Sequence, residues 1–519
     1  MQATTTRPRI TATADGEGVV SHAGSRLLAD VADRTMLTAE LSEALAGLRK
    51  PRARHDPGRV LVDMAVAVAD GATTISDVAV LADQAALFGL VASDSTCWRL
   101  LDRLDTVHLG AVARARAAAR EVVWAQRAEL SGEPFPPARA AGRVLPGLVI
   151  DLDASLVVCH SEKEHAAPTF KKTFGYHPML AFCDNTGEFL AATLRRGNAG
   201  SNTAADHITV LDAALAQLPD QHRHGTPILI RADTAGCSRE FLAHIRDLRE
   251  DAVSGEFSVG WAIKDKERAA ISALPQRVWA DAIDADGGHR DGAALAEITG
   301  VLPARSLVGY PSGTRVIVRR ERPHPGAQLD AFEEADGWRY TAFATDTAFG
   351  QLAHLDARHR AHARVEDRIR GAKDTGLTHF PSRSFSINQA RLTVTMLAVV
   401  CSPRPSTCSC TVLWPRPSPR HCATGCCMSQ PGSPADSAGA GYASSGPGPG
   451  PATSLARSPG SPHCPPQPVD RPSRHDERRE LPAERARRQH RHAHQPQRSP
   501  TKINSPSRRS TGCSMDYRG

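Results

Sequence analysis

Residues 147–158 read GLVIDLDASLVV. The apolar run has β-strand character, and Asp151 and Asp153 stand two apart in it, so on a strand both carboxylates project from the same face. Acids at the end of an apolar strand are costly to bury unless they pair or bind a metal. The stretch TPILIRADTAG, residues 226–236, repeats the arrangement, with Asp233 where a strand opens into a glycine-containing turn. Two such acids on neighbouring strands would make a hard-oxygen site suited to Mg²⁺ or Mn²⁺. Spacing alone does not choose between Asp151 and Asp153 as the first acid, and either could instead form a cap or a turn.

Around these strands the periodicity is mixed. HPMLAFCDNTGEFLAATLRRG (177–197) reads as two strands with a hairpin turn at Asp184 to Gly187, and TAADHITVLDAALAQL (203–218) as a helix between strands. Strand-like pieces return from about Val253 to Thr347. GQLAHLDARHRAHARVEDRIRGAKDTG (350–376) then reads as helix, with His359, His362, Glu366 and Lys373 on one face. Upstream, segments such as GRVLVDMAVAVADG (58–71) and DSTCWRLLDRLDTVHLGAVARARAAAREVVWAQ (94–126) carry helical spacing. A helix capped by Ser93 or Asp94 and bearing Trp98, Arg99 and Arg103 suggests a helix-turn-helix-like unit.

Composition divides the chain near Val400. Lys and Arg total 63 against 56 Asp and Glu; 17 and 7 of these follow Val400, which leaves 46 and 49 before it. The basic excess therefore belongs to the tail, and a nucleic-acid partner has to be argued from local patches. Eight of the 12 cysteines and 20 of the 37 prolines also lie after that point. A segment so poor in Leu, Ile, Val and Phe is expected to be disordered. Codons for it, read one base out of register, allow a Leu/Arg pattern at helical spacing, so a frameshift near Val400 is expected. Loss of the natural helices would leave ARLTVTMLAVV (390–400) partly unpacked. No P-loop, dinucleotide fingerprint, membrane-length apolar run or export signal is visible, which points to a cytoplasmic protein with no nucleotide cofactor and no membrane partner.

Taken together, VIDLDAS (149–155), LRRGNAGSNTAADHI (194–208), LIRADTAG (229–236), VIVRRERPHPGAQ (316–328) and RVEDRIRGAKDTGL (364–377) resemble the DDE transposases of bacterial insertion sequences. The branch is the one with a β-rich insertion before its last acid. The resemblance implies an α/β (α+β) fold. An RNase H-like core, residues 145–250 and 348–400, would be split by a β-rich insertion at 251–347. A helical DNA-end-binding region at 24–140 would precede it, between a disordered 1–23 and a disordered C-terminal tail at 401–519. It also implies that Asp153 (or the competing Asp151), Asp233 and Glu366 hold two divalent ions, Mg²⁺ or Mn²⁺, with Lys373 catalytic in support. The family's Tyr and Arg places fall here on His359 and His362. Phosphate contacts are expected from Arg195, Arg196, Arg319, Arg320, Arg322, Arg360 and Arg364, with Lys171 and Lys172 beside aromatic residues in FKKTFGYHP (170–178). The implied reaction is cleavage at element ends and strand transfer into target DNA by a nucleoid-associated homodimer holding paired terminal inverted repeats. Two alternatives stand beside it: an inactive DNA-binding remnant, and a metal-dependent nuclease without strand transfer.

Overall fold

The computed structural model describes residues 7, 8, 10 and 21–401. The tail at 402–519, with its expected frameshift and disorder, lies outside the described residues. At the N-terminus the expectation of disorder over 1–23 does not hold at Arg7. That side chain is buried and ion-pairs with Asp33 and, at 2.9 Å, with Asp63.

The chain opens with helices α1 (Ser25–Arg34), α2 (Leu37–Ala44), α3 (Pro57–Ala69), α4 (Asp94–Arg103) and α5 (Thr106–Ser131). Helix α3 starts with Asp56 accepting from the Arg59 amide and with Pro57 in its first turn, where a missing N–H costs nothing. Ser93 precedes α4 in extended conformation, without a side-chain cap. On α4 Arg103 donates to the Leu48 carbonyl, while Trp98 stands 46% exposed.

The core strands follow: β1 (Leu148–Ala154), β2 (Met179–Cys183), β3 (Phe189–Thr193), β4 (Ile228–Ala232) and β5 (Gly255–Trp261). Their spatial order is 3-2-1-4-5. The pairs β1–β2 and β2–β3 are antiparallel, and β1–β4 and β4–β5 are parallel. That order and polarity define an RNase H-like sheet. Helices α6 (Ala204–Leu215) and α7 (Arg239–Asp247) cover one face, meeting Ile150, Leu152, Ile230 and Ala232. Helices α8 (Leu352–Arg360), α9 (Arg364–Ala372) and α10 (Phe385–Cys401) follow the inserted strands. Coverage of both faces explains why the strands read as almost unbroken apolar runs.

The inserted strands β6 (Ala280–Ile283), β7 (His289–Glu297), β8 (Arg315–Glu321) and β9 (Arg339–Thr345) do not close on themselves. Strand β9 pairs antiparallel with β5, so core and insertion form one nine-stranded sheet. The segment assigned from sequence to the insertion, 251–347, thus begins with the fifth core strand.

Helix α10 resolves the apolar stretch before the tail. Ile387, Ala390, Val394 and Leu397 join the N-terminal helices, while Leu392, Met396 and Val399 join β2, β3 and α9. A helix that is apolar all round is one buried all round. The partial unpacking expected for 390–400 is therefore not observed, because the chain's own N-terminal helices supply the partner. Among the described residues no helix is long and apolar enough to cross a membrane.

Candidate active site

Alternation along β1 sends Ile150 and Leu152 towards α6 and α7, and Asp151 and Asp153 towards α9. The two aspartates then part company. Asp151 is wholly buried and its carboxylate is saturated: Arg231 Nε lies at 2.7 Å, His362 Nδ1 at 3.0 Å and Arg368 Nη1 at 3.2 Å. Burial opposes its charge, yet Arg231 and His362 hold it well below the usual carboxylate range. Asp153, at the strand's end, accepts, among the described residues, only from the Ala154 amide at 2.7 Å. Burial, with the charges of Asp233 and Glu366 against the opposing pull of His362, pushes it up to about 6.

Asp233 ends β4, the strand parallel to β1, and caps a short 3₁₀ turn by accepting from the Ala235 amide at 2.9 Å. The turn fits because β5 carries Gly260 beside it. A Cβ there would lie 2.6 Å from the Thr234 amide nitrogen and 3.0 Å from the Asp233 carbonyl carbon. Gly260→Ala is expected to displace the turn, costing about 1–3 kcal/mol of stability and about 10–100-fold in any rate that depends on Asp233. Thermal melting and a DNA-nicking assay check the two halves separately.

The segment 350–376 is two helices, broken by a 3₁₀ turn at Ala361–Ala363, and a π-helical turn, Lys373–Leu377, follows α9. The break divides the face expected to carry four site residues. His359 turns into the sheet, stacked on Phe343 with centroids 4.6 Å apart and bonded to Ser258 Oγ at 3.1 Å; burial pushes its imidazole down to about 3. It is a part-buried histidine held neutral against the sheet. His362 reaches Asp151, Glu366 is exposed near Asp153, and Lys373 is half-buried. Burial and then the charge of Lys171 lower the Lys373 ammonium, with Asp153 pulling the other way, so Lys373 stands near both Asp153 and Lys171.

The basic residues expected at DNA sort by burial. Arg195 is buried on Asp206 (2.8 Å) and the His177 carbonyl, and Arg319 is buried between Asp356 (2.8 Å) and Glu321. Arg320 is buried against Trp279 (4.1 Å) and Trp338 (4.6 Å). Contrary to the expectation of phosphate contacts, these three side chains are engaged by protein groups. Arg364 spends its guanidinium on Asp184 (2.9 Å) and the Arg139 carbonyl. Lys171, Lys172 and Arg196 are exposed, Arg196 against His165; Arg322 lies over Trp338 at 3.9 Å, and Arg360 is part-exposed near Asp356.

A family model described as "Transposase DDE domain group 1" matches residues 2–402. The chain belongs to that family. No curated protein matches the transposase. A cryo-EM structure of a piggyBac transposase synaptic complex with hairpin DNA is similar at a TM-score of 0.32 and 10% identity, covering 75% of this chain and 78% of the other.

The family implies divalent metal ions. Among the described residues no group of three or more His, Cys, Asp or Glu side chains is gathered closely enough to hold one. The donor chemistry nevertheless fits. Asp153, Asp233 and Glu366 are oxygen donors, none of them ion-paired with a cationic side chain among the described residues, and the mutual repulsion felt at Asp153 is what a divalent ion would offset. The raised Asp153 has a stability consequence in the metal-free transposase. A group whose pKa is higher folded than unfolded contributes stability below its unfolded value, near 4, and loses it as pH rises through its folded value of about 6. In EDTA, Asp153→Asn is therefore expected to melt above the wild type at pH 7, with the gap closing by about pH 4.

Proposed function

We propose that this transposase cleaves DNA at the ends of its element and transfers the resulting 3′ ends into target DNA. One observation carries the reading: Asp153 and Asp233 end adjacent parallel strands of a 3-2-1-4-5 sheet, Glu366 stands on the helix crossing above them, and Asp151 is withdrawn into ion pairs. Asp153, Asp233 and Glu366 would hold the divalent ions. Bound there, such ions would activate a water or a DNA 3′-hydroxyl and stabilise the departing oxygen. Lys373 and Lys171 would steady the phosphodiester, and Lys172, Arg196, Arg322 and Arg360 would line the approach of the backbone. The helices of 24–140 are read as the end-binding region, and a dimer on paired ends follows from joining two ends in one reaction.

Labelled DNA carrying the ends of the chain's own element, incubated with Mg²⁺ and a target plasmid, tests this. The expected products are nicked ends and end–target joints. Nicking without joints would leave a nuclease, and binding without nicking an inactive remnant.

A further inference from the structure

Two arginines one turn apart on α9 bond acidic and carbonyl groups of the protein. Arg364 Nη1 donates to Asp184 Oδ2 at 2.9 Å. Arg368 Nη1 reaches Asp151 at 3.2 Å, and its Nη2 bonds both the Asp184 carboxylate and, at 3.1 Å, the Asp184 carbonyl. Asp184 opens the β2–β3 turn, and its carboxylate, like that of Asp151, has no exposure. Arg231, also wholly buried, lies between them, 2.7 Å from Asp151 and 2.9 Å from Asp184, and donates to the last turn of α8 at the Arg358 carbonyl. Two carboxylates and Arg231, with Arg368 mostly covered and Arg364 at the exposed rim, thus stand where apolar side chains would hold a helix to a sheet at no greater expense in stability. What an ion-pair cluster adds is a fixed geometry.

The helical order of α9 shows what that geometry sets. At about 100° per residue, the buried Val365, Ile369 and Ala372 form a central seam. Arg364 and Arg368 lie on one flank of it and Glu366 on the other. The seam makes only non-directional apolar contacts, whereas the arginine flank is held by directional hydrogen bonds. A roll of about 20° would carry a carboxylate about 6 Å from the axis through about 2 Å, enough to spoil a site that tolerates about 1 Å.

We propose that Arg368 and its buried acceptor Asp184 are positioning residues, which fix the roll of α9 and so place Glu366 against Asp153 and Asp233. The inference rests on the function proposed above for those three acids. It is tested with the full chain and Arg368→Gln, Glu366→Gln, the combination of the two, and Asp184→Asn/Arg368→Gln. Three quantities are read: kcat and KM for nicking, thermal melting, and Mn²⁺ affinity of the DNA-free protein by electron paramagnetic resonance.

Arg368→Gln is expected to lower kcat about 100-fold with KM for DNA unchanged within about twofold, and to weaken Mn²⁺ binding about tenfold. In the Glu366→Gln background it should weaken Mn²⁺ binding no further, because it acts through Glu366. The Asp184→Asn/Arg368→Gln protein, which has no unpaired charge from this couple, is expected to regain melting temperature and keep the low kcat. Full additivity of the Mn²⁺ losses, or recovery of kcat together with melting temperature, would overturn the proposal. A wild-type chain that binds Mn²⁺ and leaves DNA intact overturns the functional reading and leaves the Mn²⁺ comparison to decide this one. A wild-type chain that binds no Mn²⁺ overturns both.

Discussion

Asp153→Asn is expected to slow nicking of element-end DNA by at least about 10³-fold, since several kcal/mol of charge stabilisation pass through the ions its carboxylate would hold. An amide has the same shape and one oxygen, but no charge with which to hold a divalent ion. The position is unusually clean for such a test. Among the described residues Asp153 bonds only its neighbouring amide, and it carries charge against the repulsion of two other acids, so its removal relieves the fold. Loss of activity with unchanged or improved melting is the expected pair of results. Asp233→Asn and Glu366→Gln should match it in single-turnover nicking. Residual cleavage within about tenfold of wild type in any of the three would sink the assignment of the acids.

Arg231→Leu is expected to cost about 3–5 kcal/mol of folding stability, the range for removing one partner of a buried ion pair. Its guanidinium is the bridge between Asp151 and Asp184, and all three side chains are fully buried. Without it Asp151 retains His362 and Arg368, and Asp184 retains Arg364 and Arg368, so two carboxylates share fewer cations in a site closed to water. Urea unfolding at pH 7 measures the loss. Adding Asp151→Leu should recover part of it, because the stranded charge is then gone. A loss below about 1 kcal/mol in the single variant would mean that water reaches the cluster and solvates it.

The contrast between Asp151 and Asp153 shows where sequence reading stops. Strand periodicity put both carboxylates on one face, and they are on one face. What separates them is Arg231, a residue whose place in the middle of ILIRA was itself a signal: a charge inside a doubly covered strand has to be paired. That it meets Asp151 and not Asp153 is set by the register of β1 against β4, which places Asp151 opposite Arg231. Asp184 could not be named from the sequence, because an aspartate opening a DNTG turn has a sufficient local reason to be there. His359 and His362 were joined to Glu366 by helical spacing, but the spacing counts only if the helix is continuous, and the 3₁₀ turn at Ala361–Ala363 turns His359 into the sheet. Within the RR clusters, burial divides neighbours for a related reason. Arg195 and Arg319 look like surface charge in a linear chain, and only the fold shows Asp206 and Asp356 waiting for them. For α10 the sequence suggested partial unpacking, because its partners, the helices at the other end of the chain, carry no local signal that they pack against it.

The pairing of β5 with β9 bears on how the protein can be cut down. Were the β-rich segment excised as a cassette, β5 would become an edge strand: still paired with β4 on one side, it would lose its partners over Ser258–Trp261 on the other, on a strand carrying Phe257, Val259 and Trp261. Such an edge invites a second chain to add itself as the missing strand. A minimal catalytic core made by joining residue 261 to the start of α8 should therefore precipitate or form fibrils, and a soluble truncation would have to keep β9, or replace it with an edge strand bearing charge or proline.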